Sequence, residues 1–175
     1  MKILFFIVIV TLRSFTADAQ VKHTDFASEP FYINATGEKI PLEKSAAKMN
    51  QARKGNNSPT YIIEAEHASV SFPITDTIKL LVNTTQDLSM IGPSRIFHIY
   101  HLNINNGKRE AVVQGEAGYG KKSGNERIDY QHKASTDKIV FIITEKLPPG
   151  EYAFFNMMTA KASDYSIYAF CFRIE

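Results

Sequence analysis

The chain has 175 residues, of which 44% are hydrophobic and 22% are charged. This composition is typical of one globular domain, and it excludes a chain that is mainly disordered. The 20 basic and 18 acidic residues give a net charge of +2. That balance excludes the strong positive field that nucleic acid requires, so no nucleic-acid partner is expected. A single cysteine excludes an internal disulfide, and stability must therefore come from the burial of apolar side chains.

Residues 1–19 contain the three parts of a secretory signal peptide. Lys2 precedes an apolar run over residues 3–10, and Ala17 and Ala19 form an Ala-x-Ala cleavage site. The run is too short for a transmembrane helix, which needs about 20 apolar residues. We therefore expect cleavage near Ala19 and export to the periplasm or the extracellular space. The protein is not expected to be an integral membrane protein.

Apolar residues after the leader come in short runs rich in Ile, Val, Phe and Tyr, separated by turn residues. This pattern predicts β-strands. With strands at this spacing and almost no helix, we predict an all-β fold, a two-sheet β-sandwich of about ten strands, with a closed barrel as the alternative. The predicted strands are Phe31 to Ile33, Lys39 to Leu42, Tyr61 to Glu66, Ser69 to Phe72, Ile78 to Val82, Ile96 to Ile104, Arg109 to Gln114, Arg127 to Gln131, Ile139 to Thr144, Tyr152 to Met157 and Ser166 to Ile174.

Three glycine-containing pairs predict turns between these strands. Thr36-Gly37 is expected to close a first small hairpin from 31 to 42. Asn106-Gly107 suits a type I′ hairpin, because both residues tolerate positive φ. Pro149-Gly150 has the signature of a type II turn, so the chain is expected to reverse there.

One segment, residues 42–54, is a candidate for a short helix, because Ala46, Ala47, Met49 and Ala52 are interspersed with Lys and Gln and form a weak apolar face. The glycine and proline cluster at 55–59 would end it and lead into the main sheet. The predicted organisation is therefore a signal peptide at 1–19, an N-terminal hairpin and linker segment at 20–59, and a β-sandwich core at 60–175.

The last strand is predicted to belong to the core. Tyr168, Phe170, Phe172 and Ile174 alternate on one bulky apolar face, and exposing such a face is unfavourable. The alternative is that this strand is held loosely and donated to the sheet of a partner.

The C-terminal third carries two motifs. Leu147 opens the segment Leu-Pro-Pro-Gly-Glu-Tyr-Ala, and the chain ends in Phe-Cys-Phe-Arg-Ile-Glu over residues 170–175. These segments resemble the L-x-P-G-E-Y-A and F-C-F-x-[IV]-[DE] motifs of uncharacterised exported proteins from Bacteroidota-like bacteria. The resemblance implies an exported β-sandwich of the bacterial envelope, and it supplies no catalytic residues to transfer.

Residues 115–123 nearly match the phosphate-binding loop G-x-x-x-x-G-K-[ST]. Gly120 and Lys121 are in register, but Lys122 occupies the position of the magnesium-binding hydroxyl, which is displaced to Ser123. No amphipathic helix follows to direct its N-terminus at a phosphate. A flexible basic loop between strands is the favoured interpretation.

The histidines do not predict a metal site. His98 and His101 lie three residues apart on a predicted strand, so their side chains point to opposite faces and cannot share one ion. The other histidines, His23, His67 and His132, could join them only through tertiary contacts. Zinc needs three or four converging ligands, so satisfied or solvated histidines are favoured.

Carboxylates and the cysteine also favour structural roles. Glu64 and Glu66 share one strand face, which is one way to pair carboxylates for glycoside hydrolysis, but a solvated polar face is preferred. Cys171 lies among aromatic residues and is expected to be a buried, unreactive thiol.

No catalytic, cofactor-binding or metal-binding residue is therefore assigned, and no cofactor is expected. The sequence favours an exported, non-catalytic binding or envelope-associated module whose partner is an unknown envelope protein or a glycan. The alternative is a small envelope hydrolase acting on a glycan or a peptide.

Overall fold

A computed structural model describes residues 29–50, 59–75, 77–84, 92–112, 127–161 and 163–175. The predicted signal peptide and the loop at 115–123 lie outside these ranges. The described strands are β1 (Phe31–Ile33), β2 (Lys39–Pro41), β3 (Glu43–Asn50), β4 (Thr60–Glu64), β5 (Ser71–Phe72), β6 (Ile78–Asn83), β7 (Phe97–Asn105), β8 (Lys108–Val112), β9 (Gln131–Ala134), β10 (Lys138–Ile143), β11 (Gly150–Asn156) and β12 (Ser166–Ile174). A short helix, α1 (Pro93–Ile96), precedes β7, and a 3-10 turn (Met157–Thr159) follows β11.

The strands form two sheets, one of which closes on itself. The open sheet has five strands in the order β2-β1-β6-β10-β9. In the other, β11, β7, β8, β4, β3 and β12 follow one another, and β11 pairs with β12 to close a six-stranded barrel. β5 pairs in parallel with the end of β12, beyond the residues of β12 that pair with β3. The all-β prediction is confirmed, but closure of one sheet distinguishes this arrangement from the predicted ten-strand sandwich.

Two apolar cores follow from this arrangement. The first lies between the inner face of the open sheet and the outer face of β7, β11 and β12, and Phe141 contacts Phe97 and Phe154 there. The second fills the barrel, where Tyr61 and Phe155 lie among small side chains. Strands β7, β11 and β12 are buried on both faces because they separate the two cores.

Residues 43–50 are strand β3, so the helix predicted for this segment is wrong over that range; residues 51–54 are not described. β3 pairs with β12 on one side and with β4 on the other. Ala47 is fully buried and belongs to the core of the barrel. Pairing on both edges therefore overrides the helical preference of alanine. The short helix α1 instead lies at Pro93–Ile96.

The N-terminal strands belong to both sheets. β1 pairs with β6 of the open sheet, whereas β3 is part of the barrel wall. In the described residues, no helix is long and apolar enough to cross a lipid bilayer.

Two of the three predicted turns are confirmed. The hairpin at 36–37 pairs Ile33 with Lys39. At Asn106 and Gly107, φ is 50° and 73°, as a type I′ turn requires. The type II turn at Pro149-Gly150 is wrong: Gly150 begins β11 with φ of 156°, far from the roughly +80° of that turn.

Replacing Gly107 with valine is expected to lower the free energy of unfolding by about 1–2 kcal/mol, because a β-branched residue is strained at positive φ. No neighbouring atom lies within 4 Å of the position of a Cβ there, so the loss reflects backbone strain alone. Urea denaturation measures it. Gly107→Asn is the matched control and should cost less, since asparagine tolerates this conformation. Equal stability of the valine variant and the wild type would contradict the turn assignment.

Candidate functional site

A groove on the outer side of the barrel is the main candidate site. It encloses about 650 Å³ beside β7 and the start of β11 and is bordered by the extended segment 127–129 and the connection from β10 to β11. We call it the lateral groove. Its lining residues are His101, Asn103, Val112, Arg127, Ile128, Asp129, Glu145, Leu147, Pro148 and Tyr152.

Backbone pairing fixes one wall of the lateral groove. The amide of Ile128 donates to the carbonyl of Ile99 at 2.9 Å, and Arg127 forms an antiparallel bridge with Tyr100. Ile128 packs against the first core. Because side chains alternate along an extended segment, Arg127 and Asp129 share the opposite side.

The floor of the lateral groove is formed by Tyr152, at the end of the Pro-Gly-Glu-Tyr segment, and by His101. The hydroxyl of Tyr152 donates to the carbonyl of Pro148 at 2.6 Å, and its ring lies 4.9 Å from that of His101 between centroids. A Cβ at residue 150 would overlap Nε2 of His101. Glycine is therefore needed at position 150 for the close approach of the imidazole.

Burial sets the protonation of the two rings in the floor. Burial, assisted by the negative charge of Glu145, raises the pKa of the Tyr152 hydroxyl to about 12. Burial also lowers the pKa of His101. At neutral pH both side chains are therefore uncharged, and both serve as hydrogen-bonding groups.

Three charged side chains line the lateral groove, namely Arg127, Asp129 and Glu145. All three are exposed. Asp129 and Glu145 also line a second cavity of about 300 Å³, together with Tyr130, Gln131 and Thr144. The two carboxylates therefore lie where the two cavities meet.

A second polar cluster is buried in the barrel. Arg109 is fully buried, and its NH2 group donates to Oε1 of Glu43 at 2.6 Å. Its NH1 group lies 3.8 Å from Oε2 of Glu151, and its Nε donates to the carbonyl of Ala65 at 3.1 Å. Ala65 has φ of 86°, a conformation that alanine adopts only when its surroundings stabilise it.

The carboxylate of Glu151 also fixes the loop after β4. It accepts from the amide of Ala68 at 2.9 Å and lies 3.1 Å from Nδ1 of His67. Glu151 is 3% exposed, so these contacts and Arg109 compensate the cost of burying its charge. This cluster, which we call the Arg109 cluster, stabilises the barrel.

The hydrogen bonds of the Arg109 cluster determine the pKa of Glu43. Burial alone would raise this pKa, but the bond from Arg109 opposes it, together with bonds from the backbone and side chain of Ser69 and from Ser45. The net effect lowers the pKa of Glu43 to about 2. Glu43 is therefore ionised down to strongly acidic pH.

The Glu43→Gln variant is expected to be less stable at pH 7 by about 2 kcal/mol, because the charge-assisted bond to Arg109 is lost. The pKa of Glu43 is lower in the folded state than its ordinary value of 4.5. Its contribution is therefore present above pH 4.5 and is lost as the pH falls toward 2. Urea denaturation at several pH values should show the difference between variant and wild type shrinking in that interval.

The matched control for this prediction is Glu64→Gln. Glu64 pairs with Lys108 at 2.9 Å, but its side chain is 72% exposed, and surface pairs contribute about 0–1 kcal/mol. If Glu43→Gln lowered the free energy of unfolding by no more than Glu64→Gln does, the stabilising role of Glu43 would be contradicted.

Predicted candidate residues are mostly kept apart. His98 and His101 point to opposite sides of β7, as predicted, because His101 contacts Tyr152 outside the barrel and His98 contacts Tyr100. Glu64 and Glu66 are both exposed, which confirms the solvated interpretation. Within the described residues no three potential metal-ligating side chains converge.

The predicted burial of Cys171 is confirmed. It lies inside the barrel and has 0% relative exposure. Burial raises the pKa of the thiol to about 12, so the thiol remains protonated and weakly nucleophilic at neutral pH.

Sequence reasoning missed the lateral groove and the Arg109 cluster. Asp129 and Glu145 lie at the ends of different strand-like runs, and only the fold brings them together. Glu151 carries a usable signal, since it is the one charged residue of the otherwise largely apolar strand β11. Arg109 does not, because Lys108 and Glu110 flank it in β8.

Comparisons with models of known protein families, with curated proteins and with solved structures find no match for this chain.

Proposed function

We propose that this protein is an exported, non-catalytic binding module of the bacterial envelope and that the lateral groove is its ligand site. The observation that carries the proposal is a cavity of about 650 Å³ with several polar side chains around its opening. Concave sites with a few convergent polar groups are where proteins hold ligands. The leader-like pattern at residues 1–19 supports export, as does the C-terminal motif resemblance.

A non-catalytic role is favoured over catalysis by the groups in the lateral groove. The hydroxyl of Tyr152 is already donated to Pro148, and the one cysteine lies in the barrel, away from the groove. In the described lining neither a serine nor a cysteine is available as a nucleophile. Asp129, Glu145 and Arg127 can bind and orient a ligand by charge-assisted hydrogen bonds.

A small envelope hydrolase remains the second candidate, because Asp129 and Glu145 line the same groove. A pair of carboxylates is the arrangement used in glycoside hydrolysis. Incubation with purified peptidoglycan distinguishes the two candidates. Release of new reducing ends or free amino groups that Glu145→Gln abolishes would favour the hydrolase; intact peptidoglycan favours the binding module.

Binding is tested with the purified protein and an envelope extract. In ¹H–¹⁵N spectra, we expect extract components to shift amides of 127–129, 145–147 and 150–152. The triple variant Arg127→Ala, Asp129→Ala, Glu145→Ala should lose these shifts. The control triple variant Arg95→Ala, Glu38→Ala, Glu64→Ala changes the same charges at other exposed positions and should keep them. Shifts that both triple variants retain would contradict the groove as the ligand site.

Export is tested separately by sequencing the N-terminus of the protein made in its own cell. The proposal expects a chain that begins near Gln20 and is recovered outside the cytoplasm. An intact Met1 on cytoplasmic protein would contradict export.

A further inference from the structure

We propose that the lateral groove binds a peptide segment through a lysine or arginine side chain, whose cation lies between Asp129 and Glu145. This inference rests on the proposed function, since it takes the lateral groove as the ligand site, and it adds the chemical class of the ligand. Three observations support it: the charge of the groove lining, the lack of partners for two carboxylates, and the shape of the groove.

The two carboxylates have unused hydrogen-bonding capacity. Within the described part of the chain, neither Asp129 nor Glu145 forms an ion pair or a side-chain hydrogen bond. By contrast, Glu64, Glu43 and Glu151 each have a basic partner. A carboxylate pair at the junction of two cavities can accept several hydrogen bonds from one ammonium or guanidinium group.

Other groups in the groove do not cancel this negative charge. Arg127 is the one cationic side chain in the described lining, which also contains two carboxylates, Asp129 and Glu145. The lowered pKa of His101 keeps its imidazole neutral at neutral pH. The described lining of the groove therefore carries an excess of one negative charge, which attracts cations and disfavours anionic ligands.

Ring geometry favours a peptide over a glycan. The Tyr152 ring is fully buried and stacks on Phe172 at a centroid distance of 5.4 Å. In the second cavity, the ring of Tyr130 packs edge-on against Phe141 at 5.0 Å. The described part of the groove floor thus presents no open aromatic face on which a sugar ring could stack. Its extended wall at 127–129 suits an extended chain with one long cationic side chain.

The experiment uses three peptides of equal length, namely acetyl-Gly-Lys-Gly-amide and its norleucine and glutamate counterparts, together with N,N′-diacetylchitobiose. Each is titrated into the labelled protein while ¹H–¹⁵N spectra are recorded. We expect the lysine peptide to shift amides of 127–129, 145–147 and 150–152. It should bind about tenfold more tightly than the norleucine peptide, which corresponds to one charge-assisted contact. The glutamate peptide and the disaccharide should leave these amides unshifted.

Two conservative double variants locate the contact. Asp129→Asn with Glu145→Gln should reduce lysine-peptide binding to the level of the norleucine peptide. The control, Glu38→Gln with Glu64→Gln, removes the same charge from exposed positions and should bind as the wild type does. Both pairs are exposed, so neither should unfold the protein.

Other outcomes separate this inference from the proposed function. Equal binding of the norleucine and lysine peptides, or groove shifts with the disaccharide alone, would overturn the cationic peptide but leave the groove as a ligand site. No shift with any of the four probes would also overturn it. The proposed function is tested separately: it fails if the envelope extract shifts no amide signal that the groove triple variant loses.

Discussion

Replacing Arg109 with methionine is expected to lower the free energy of unfolding by about 3–5 kcal/mol, because it leaves the charge of Glu43 and of Glu151 without a cation inside the barrel. Arg109 is fully buried, and its guanidinium contacts both carboxylates. Methionine fills a similar volume without the charge, so the loss measures electrostatics more than packing. Guanidinium denaturation of both proteins gives the difference.

Two further variants make this prediction specific. Arg95→Met removes an exposed arginine and should change stability by no more than about 0.5 kcal/mol. Adding Glu43→Gln and Glu151→Gln to Arg109→Met should recover part of the loss, since no buried charge then remains unpaired. A loss below about 1 kcal/mol for Arg109→Met, or no recovery in the triple variant, would contradict the role of the Arg109 cluster.

Truncation after Ala169 is expected to abolish cooperative folding. The deletion removes Phe170, Phe172 and Ile174 from the first core and Cys171 from the second. It also removes pairing partners of β3, β5 and β11, and thereby opens the barrel. Thermal unfolding followed by circular dichroism should show no sharp transition.

Phe172→Ala is a milder variant that keeps the backbone pairing. Phe172 is fully buried, and such a truncation costs about 3–5 kcal/mol. Met158→Ala, at a side chain 51% exposed, is the matched control and should change little. If the chain truncated after Ala169 stayed monomeric, soluble and cooperatively folded, β12 would be dispensable, and the alternative of a donated strand would gain.

Strand positions were predictable where the alternation of apolar residues and the content of β-branched and aromatic residues both favour a strand. β1 and β12 match their predicted ranges, and the hairpin at 106–107 follows from the turn preferences of asparagine and glycine. Burial of β12 on both faces was less evident, because Ala169 and Cys171 are small. Their small size fits the position of β12 between the two cores, which depends on the whole fold.

Closure of the barrel could not be predicted, since it depends on β3. Residues 43–50 have two lysines and two alanines, and only one of the eight residues is fully buried. That composition gives a weak pattern for a strand and a reasonable one for a helix. What places β3 is pairing with β12 and β4, from distant parts of the sequence.

The lateral groove depends on contacts of the same long-range kind. Its lining comes from β7, from the segment before β9, and from the connection into β11. The sequence of the Pro-Gly-Glu-Tyr segment predicts only a turn and a motif. Three of its residues have different structural roles: Gly150 leaves room for the His101 ring, Glu151 belongs to the Arg109 cluster, and Tyr152 forms the groove floor.

Photo-crosslinking in the cell that makes the protein tests the lateral groove as a ligand site most directly. Benzoylphenylalanine would replace Pro148, an exposed residue of the groove, and in a parallel protein Glu38, an exposed residue of the first hairpin. We expect irradiation to give a discrete adduct from position 148 that disappears when Asp129→Asn and Glu145→Gln are added, and none from position 38. The same adducts from both positions, or none from position 148, would contradict a ligand bound in the groove.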